Sequence, residues 1–156
     1  MVKSGEYTGK PNFIGLYERN LEAKGRLAVP KKFRSSLSKG AVLTRGLDGC
    51  LFLFPASRWQ EIAEKLRKTP LTSLDARAFT RLLTYEAFEV EFDSQGRILI
   101  PDVLKKFSGL KTKAVVAGSL DRIEIWAKDK FAGYQTKIEK TSDEIAERLN
   151  NLEIRI

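Results

Sequence analysis

Residues 21–33 read LEAKGRLAVPKKF and residues 92–104 read FDSQGRILIPDVL. Shifted by 71 positions, the two strings share an acid, two variable residues, Gly-Arg, three apolar residues and a proline. The agreement continues downstream, where AVLTRGLDGCLFLF from Ala41 parallels AVVAGSLDRIEIW from Ala114, with Leu47 and Asp48 matching Leu120 and Asp121. One residue then drops out, and Trp59 falls into line with Phe131. Self-similarity at a fixed offset is the mark of a duplicated structural unit, so the chain divides into halves of roughly sixty residues.

Local chemistry assigns each half the same parts. NLEAKGRLAVP has a strand, a polar turn centred on Gly25 and a second strand, which predicts a β-hairpin with the arginine just past the turn. FEVEFDSQGRILI predicts the same, because Phe88, Val90 and Phe92 alternate with Glu89, Glu91 and Asp93 at a period of two. Glycine precedes Arg26 and Arg97 in both copies, as a turn of positive φ requires. Pro30 and Pro101 suit the first turn of short helices, PKKFRSSL and PDVLKKF, that end near Gly40 and Gly109. Each Leu-Asp pair then splits two apolar runs into a further hairpin.

Ser57 and Gln60 form a capping-box pattern opening a helix whose apolar face carries Trp59, Ile62 and Leu66. That face makes Trp59 a core or subunit-interface residue. RKTPLTSLDAR has the composition of a connector and leads into a helix, DARAFTRLLTYEAF. Thr141 and Glu144 repeat the capping pattern before a terminal helix with Ile145, Leu149 and Leu152 on one edge, which needs a docking surface to be stable.

With 42% apolar and 10% aromatic residues the chain can bury a core. No apolar run approaches membrane-spanning length and MVKSGEYTGKPNF is too polar for a secretory signal, so a cytoplasmic protein without membrane contact is expected. Cys50 has no pairing partner and sits in GCLFLFP, the setting of a small core thiol. The net charge of +8 and the pI near 9.6 favour an anionic partner. Most of the excess lies in residues 1–50, with ten Lys/Arg against four Asp/Glu.

Histidine is absent, which removes Ser-His-Asp and Cys-His catalysis and any histidine metal site. Glu22 and Asp93 are matched carboxylates, but each opens a turn four residues before an arginine, and neither has a companion substrate site. No glycine-rich loop ends in Lys-Ser/Thr, so no nucleotide cradle is expected. No enzyme activity, cofactor, metal or small-molecule substrate follows. What remains is an arginine aimed twice by a tight turn. Its fork can grip phosphate or the O6 and N7 of guanine, and a two-stranded ribbon can enter the major groove. The structural alternative is an internal pair with the acid that merely pins the turn. RNA is disfavoured, because the turns lack exposed aromatic pairs for stacking.

The strings NLEAKGRLAVP, RGLDGCLFLFP, LTSLDARAF and EVEFDSQGRILIP, in this order and spacing, resemble the MraZ family of bacterial regulators. Such chains carry two tandem SpoVT-AbrB (AbrB-like) domains, each with an Asp-x-x-x-Arg signature. The resemblance runs from Phe13 to Tyr134. It implies an α+β fold in which two tandem AbrB-like β-hairpin half-domains form a pseudo-two-fold, β-barrel-like unit with short flanking helices. The corresponding divisions are a flexible leader at 1–12, domains at 13–66 and 87–134, a connector and helix at 67–86, and a helical tail at 135–156.

It further implies a DNA-binding transcription factor, a repressor of its own division and cell-wall gene cluster that recognises short repeated boxes. The assembly implied is a homo-oligomeric ring of about eight to twelve subunits, associated with the nucleoid. Lys24, Arg26, Gln95 and Arg97 would then contact DNA, while Glu22, Gly25, Asp93 and Gly96 brace the turns. The first signature opens on Glu22 where the family has Asp, so the tight backbone cap of an aspartate is lost there. Lys3 and Lys10 in the leader could add phosphate contacts. The competing class is a ring-forming interaction scaffold whose arginines serve subunit contacts and which reads no DNA sequence.

Overall fold

A computed structural model describes residues 10–152. Lys3 and most of the expected leader lie outside the described residues. Among the described residues there are eight strands and six α-helices: β1 (Phe13–Asn20), β2 (Arg26–Ala28), α1 (Lys31–Arg34), β3 (Ala41–Arg45), β4 (Leu51–Pro55), α2 (Ala56–Arg67), α3 (Leu74–Thr84), β5 (Phe88–Val90), β6 (Arg97–Leu99), α4 (Asp102–Ser108), β7 (Lys113–Leu120), β8 (Arg122–Ala127), α5 (Lys128–Lys140) and α6 (Ser142–Asn151).

The Leu-Asp turns close hairpins β3–β4 and β7–β8, as the apolar runs predict. These hairpins sit side by side in a six-stranded antiparallel sheet of order β1-β7-β8-β4-β3-β5. Exchanging the copies returns the same order reversed, so a pseudo-twofold axis passes between β4 and β8. The leading strands are swapped across that axis. β1 of the first copy pairs along its whole length with β7 of the second, while β5 of the second pairs with β3 of the first.

The hairpins expected within the two opening strings are therefore corrected. Each turn closes locally, with Glu22 N–H donating to Arg26 O at 2.8 Å and Asp93 N–H to Arg97 O at 3.0 Å, but no ladder grows from either. Instead β2 and β6 pair with one another, Arg26 opposite Leu99, Leu27 opposite Ile98 and Ala28 opposite Arg97. The physical reason is burial. Leu27 and Ile98 are fully buried at the centre of this ribbon, which closes one face of the large sheet over Leu43, Leu51, Val116 and Ile125. Each such side chain contributes roughly 1.5–3 kcal/mol, which a ladder on an open edge could not supply.

The opposite face of the sheet carries Cys50, Phe52, Phe54, Val115 and Trp126, covered by Trp59 and Ile62 of α2 and Phe131 and Tyr134 of α5. Trp59 thus lies against Phe54, with ring centroids 6.1 Å apart. The Cys50 thiol is buried, donates to Leu47 O, and is pushed up to about 12 by burial and then by the Glu124 carboxylate, which makes it inert. Thr44, also buried, donates to Leu83 O at 2.7 Å and anchors α3 to β3.

Helix starts differ from the expected caps. α2 begins at Ala56 behind Pro55, so Ser57 is already inside the first turn and makes no cap. Thr141 turns its hydroxyl back to Lys137 O instead of capping α6. Pro30 and Pro101 stand one residue before their helices, in extended conformation. Ser73 does form a side-chain cap, its oxygen accepting from Ala76 N–H at the start of α3. Gly109, at φ 72°, terminates α4 as expected.

Candidate nucleic-acid interface

Strand alternation sorts the ribbon into two faces. Leu27 and Ile98 point inward, so Arg26, Ala28, Arg97 and Leu99 share the outer face, with the two arginines on a diagonal. Strand geometry puts their Cα atoms roughly 8 Å apart, well within the span of a major groove about 12 Å wide. The turns at either end of the ribbon carry exposed Lys24 and Gln95.

The two turns are not equivalent, and the acid decides the difference. Asp93 Oδ1 accepts from the N–H groups of Gln95 and Arg97, both at 2.9 Å, so its short side chain caps the turn. Glu22 makes no such cap. Lacking one, the first turn puts Lys24 at φ 65° beside Gly25 at φ 79°, a left-handed pair, whereas only Gly96 has positive φ in the second turn. A non-glycine residue held there stores about 1–3 kcal/mol of strain.

The freed Glu22 carboxylate reaches across the ribbon to the other copy's arginine. Arg97 donates through Nε to Asp93 Oδ2 at 2.8 Å and through Nη1 to Glu22 Oε1 at 3.1 Å. Its guanidinium is held above its ordinary value first by the Asp93 hydrogen bond and then by Glu22. Arg26 has no acid left. Among the described residues it makes no ion pair and no side-chain hydrogen bond, although it is only partly exposed. The geometry brings together five of the eight expected site residues, Arg97 with Glu22 and Asp93, and the backbones of Gln95 and Gly96. Lys24, Gly25 and Arg26 stand at the opposite corner.

Two residues that the motif did not single out complete the ribbon. A Cβ on Gly96 would collide with the Arg34 guanidinium, and one on Gly25 would lie 3.3 Å from Lys105 Nζ and 3.0 Å from Ile100 O. Each turn glycine is thus covered by a cation from the other copy. Arg34 and Lys105 are themselves equivalent, eight residues past Arg26 and Arg97 respectively. That shared spacing was the available signal. The backbone crossing is equally reciprocal, since Ile100 N–H donates to Gly25 O at 2.8 Å and Val29 N–H to Gly96 O at 3.1 Å.

Asp93 lies below the usual aspartate value of 3.8, chiefly through the Arg97 backbone N–H, then through the Arg97 side chain and the Gln95 N–H, against an opposing effect of burial. A carboxyl depressed in the folded state stabilises the fold above its unfolded value and loses that contribution as pH falls through the folded value. Acidification below pH 3.8 is therefore expected to lower the melting temperature of the wild type more steeply than that of Asp93→Asn. Parallel melting curves for the two proteins would rule this out.

Both matched carboxylates, Glu22 and Asp93, pair with the one Arg97 guanidinium. Among the described residues no group of three or more metal-ligating side chains converges. Among the described residues no helix is long and apolar enough to cross a membrane.

Comparison with known proteins agrees with the duplicated architecture. The family model described as "MraZ protein, putative antitoxin-like" matches twice in tandem, at residues 13–82 and 83–152. The chain is 46% identical over 142 residues to the "Transcriptional regulator MraZ" of Lactobacillus delbrueckii subsp. bulgaricus, covering 91% of this chain and 99% of that protein. It is 43% identical over 144 residues to the protein of the same name from Pelotomaculum thermopropionicum, covering 92% and 99%. For that of Natranaerobius thermophilus the identity is 42% over 142 residues, covering 91% and 99%. With two tandem matches spanning most of its length and relatives this similar from end to end, the chain belongs to the MraZ family.

Proposed function

We propose that this chain is a sequence-specific DNA-binding transcriptional regulator that presents the outer face of the β2–β6 ribbon to the major groove. The observation that carries this reading is the pair of arginines on one solvent face of a two-stranded ribbon, of which Arg26 has no internal partner among the described residues. Arg26 is the base- or phosphate-gripping fork, with Lys24 and Gln95 beside it at the turn tips. Arg97 contributes from a braced position. Family membership and the name "transcriptional regulator" carried by the relatives support the same reading. By the same analogy the protein represses the promoter of its own division and cell-wall gene cluster, binds short repeated boxes and works in the cytoplasm at the nucleoid.

The working form is a ring of about eight to twelve subunits, in which several ribbons engage successive boxes and later contacts become intramolecular. Surface chemistry supports association. Leu71, Leu74, Phe79, Leu82 and Tyr85 are exposed along one side of α3 and its lead-in, and Leu149 and Leu152 are exposed on α6. A run of large exposed apolar side chains on one helix is the kind of surface that marks an interaction site.

The double ion pair of Arg97 favours a bracing role for that residue and keeps a second reading open, a ring-forming scaffold without DNA readout. Titration of the protein against its own upstream promoter and against random duplex over a range of salt, with light scattering in parallel, separates the two. A regulator binds both duplexes with steep salt dependence and prefers the promoter, typically by about a thousandfold or more. A large particle with no promoter preference at any salt is the scaffold's result.

A further inference from the structure

We propose that a lysine-lined groove, running from the first-copy turn to the start of α5, is a sequence-independent track for the DNA phosphate backbone. It is engaged alongside the Arg26 ribbon and rests on the DNA-binding reading above. The groove begins as an open hollow of about 680 Å³ between the Glu22–Gly25 turn and α4. It continues into a second hollow of about 420 Å³ that shares Gly109 and Lys111 with the first and extends to Lys113 and Lys128. Leu21 N–H donates to Thr112 O at 2.8 Å, which ties the loop carrying these lysines to the base of the turn. Lys24 belongs to both the turn and the groove, so the track opens where the ribbon ends.

Ion-pair accounting gives the groove its sign. Two of its carboxylates are paired internally, Glu22 with Arg97 and Asp102 with Lys105 at 2.9 Å, while Asp129 accepts from the Lys130 backbone N–H at 2.9 Å and keeps its charge, one against four free lysines. Lys128 is taken by Glu18 at 3.2 Å. Lys24, Lys106, Lys111 and Lys113 are exposed and, among the described residues, make no ion pair or side-chain hydrogen bond. Four unneutralised ammonium groups along one concave surface set up a field that concentrates a polyanion.

Lysine ammonium groups act as point charges on flexible stems, which suits phosphates and carries no base information. The hollows do not resemble a small-molecule site, which needs fixed polar groups converging in an enclosed pocket. The track is one-sided. At the positions equivalent to Lys106, Lys111 and Lys113 the first copy has Ser35, Ser38 and Gly40, so bound DNA leaves the ribbon along the second-copy side.

The test is the variant Lys106→Ala/Lys111→Ala/Lys113→Ala. Its matched control is Lys65→Ala/Lys68→Ala/Lys137→Ala, which removes the same charge from exposed helix positions off the groove. Affinity for promoter and random duplex is measured by fluorescence anisotropy between about 50 and 200 mM salt. Each lost phosphate contact lowers the log–log salt slope by about 0.9, so the groove variant is expected to fall by about 2.7 and to weaken up to about a hundredfold at physiological salt. The loss is equal for both duplexes, while the control keeps the wild-type slope. A groove variant whose slope matches the control overturns the proposal. So does a loss confined to the promoter, which would make the lysines readers of bases. A changed particle mass with an unchanged slope overturns it as well, assigning the groove to a neighbouring subunit. Wild-type protein that binds no duplex at all brings down the DNA-binding reading itself.

Discussion

Arg26→Ala is expected to abolish promoter binding while leaving the melting temperature and the particle mass at their wild-type values. The argument rests on what the side chain does at home, which among the described residues is nothing: no carboxylate faces it and no carbonyl accepts from it. Truncating it therefore removes no folded-state contact beyond the packing of its stem. A base-gripping arginine fork is worth about 1–3 kcal/mol. In an assembly that engages several boxes the loss recurs at every engaged subunit, so three or four subunits together forfeit several powers of ten in affinity.

Arg97→Ala is the informative contrast. It deletes both hydrogen bonds that tie Asp93 to Glu22 through the guanidinium and leaves two carboxylates facing each other across the ribbon. Weaker binding then comes with a lower melting temperature. Gel-shift titration and thermal melts of both variants decide the matter. A folded Arg26→Ala oligomer with undiminished promoter affinity, or a larger loss of stability at Arg26 than at Arg97, would remove the functional division drawn between them.

Gly118→Ala is expected to be the most damaging single-methyl substitution for the fold. Gly118 lies on β7 opposite Gly15 of β1, and its backbone torsions are not left-handed, so the cost is one of space. A Cβ there would stand 2.5 Å from Ile14 N and Phe13 C. These are main-chain atoms, and no rotamer change can move them aside. Strand β1 has to lift away, exposing Phe13, which is buried edge-on against Phe33 at 5.4 Å. Freeing a buried phenylalanine costs about 3–5 kcal/mol, a large part of the 5–15 kcal/mol that holds a domain of this size.

Because β1 is the strand that the first copy lends to the second, the damage spreads to both halves. Chemical denaturation checks this, with Gly133→Ala as the control. A Cβ at Gly133, inside α5, meets nothing within 4 Å, and the alanine there should gain roughly 0.5–1 kcal/mol. Equal midpoints for wild type and Gly118→Ala would mean that the two backbones do not approach as described.

The sequence by itself determined the parts. The duplicated strings, the Leu-Asp turns that close β3–β4 and β7–β8, the glycines at Gly25, Gly96 and Gly109, and the buried Cys50 all follow from periodicity, turn chemistry and apolar setting, which act within a few residues. The same locality limited it elsewhere: Ser57 looked able to cap α2, but Pro55 at the end of β4 makes Ala56 the first helical residue and leaves Ser57 inside the first turn, whereas Ser73, which the sequence did not single out, caps α3. Tertiary structure alone decided which strand pairs with which. Alternation specifies an inward face but not a partner, and a backbone N–H bonds as well to one extended segment as to another. Burial of Leu27 against Ile98 joined β2 to β6, and that pairing carried Glu22 to the arginine of the other copy, 75 residues away. The inequality of Arg26 and Arg97 is thus a property of the ribbon, created when two nearly identical strings meet and one has a side chain long enough to cross.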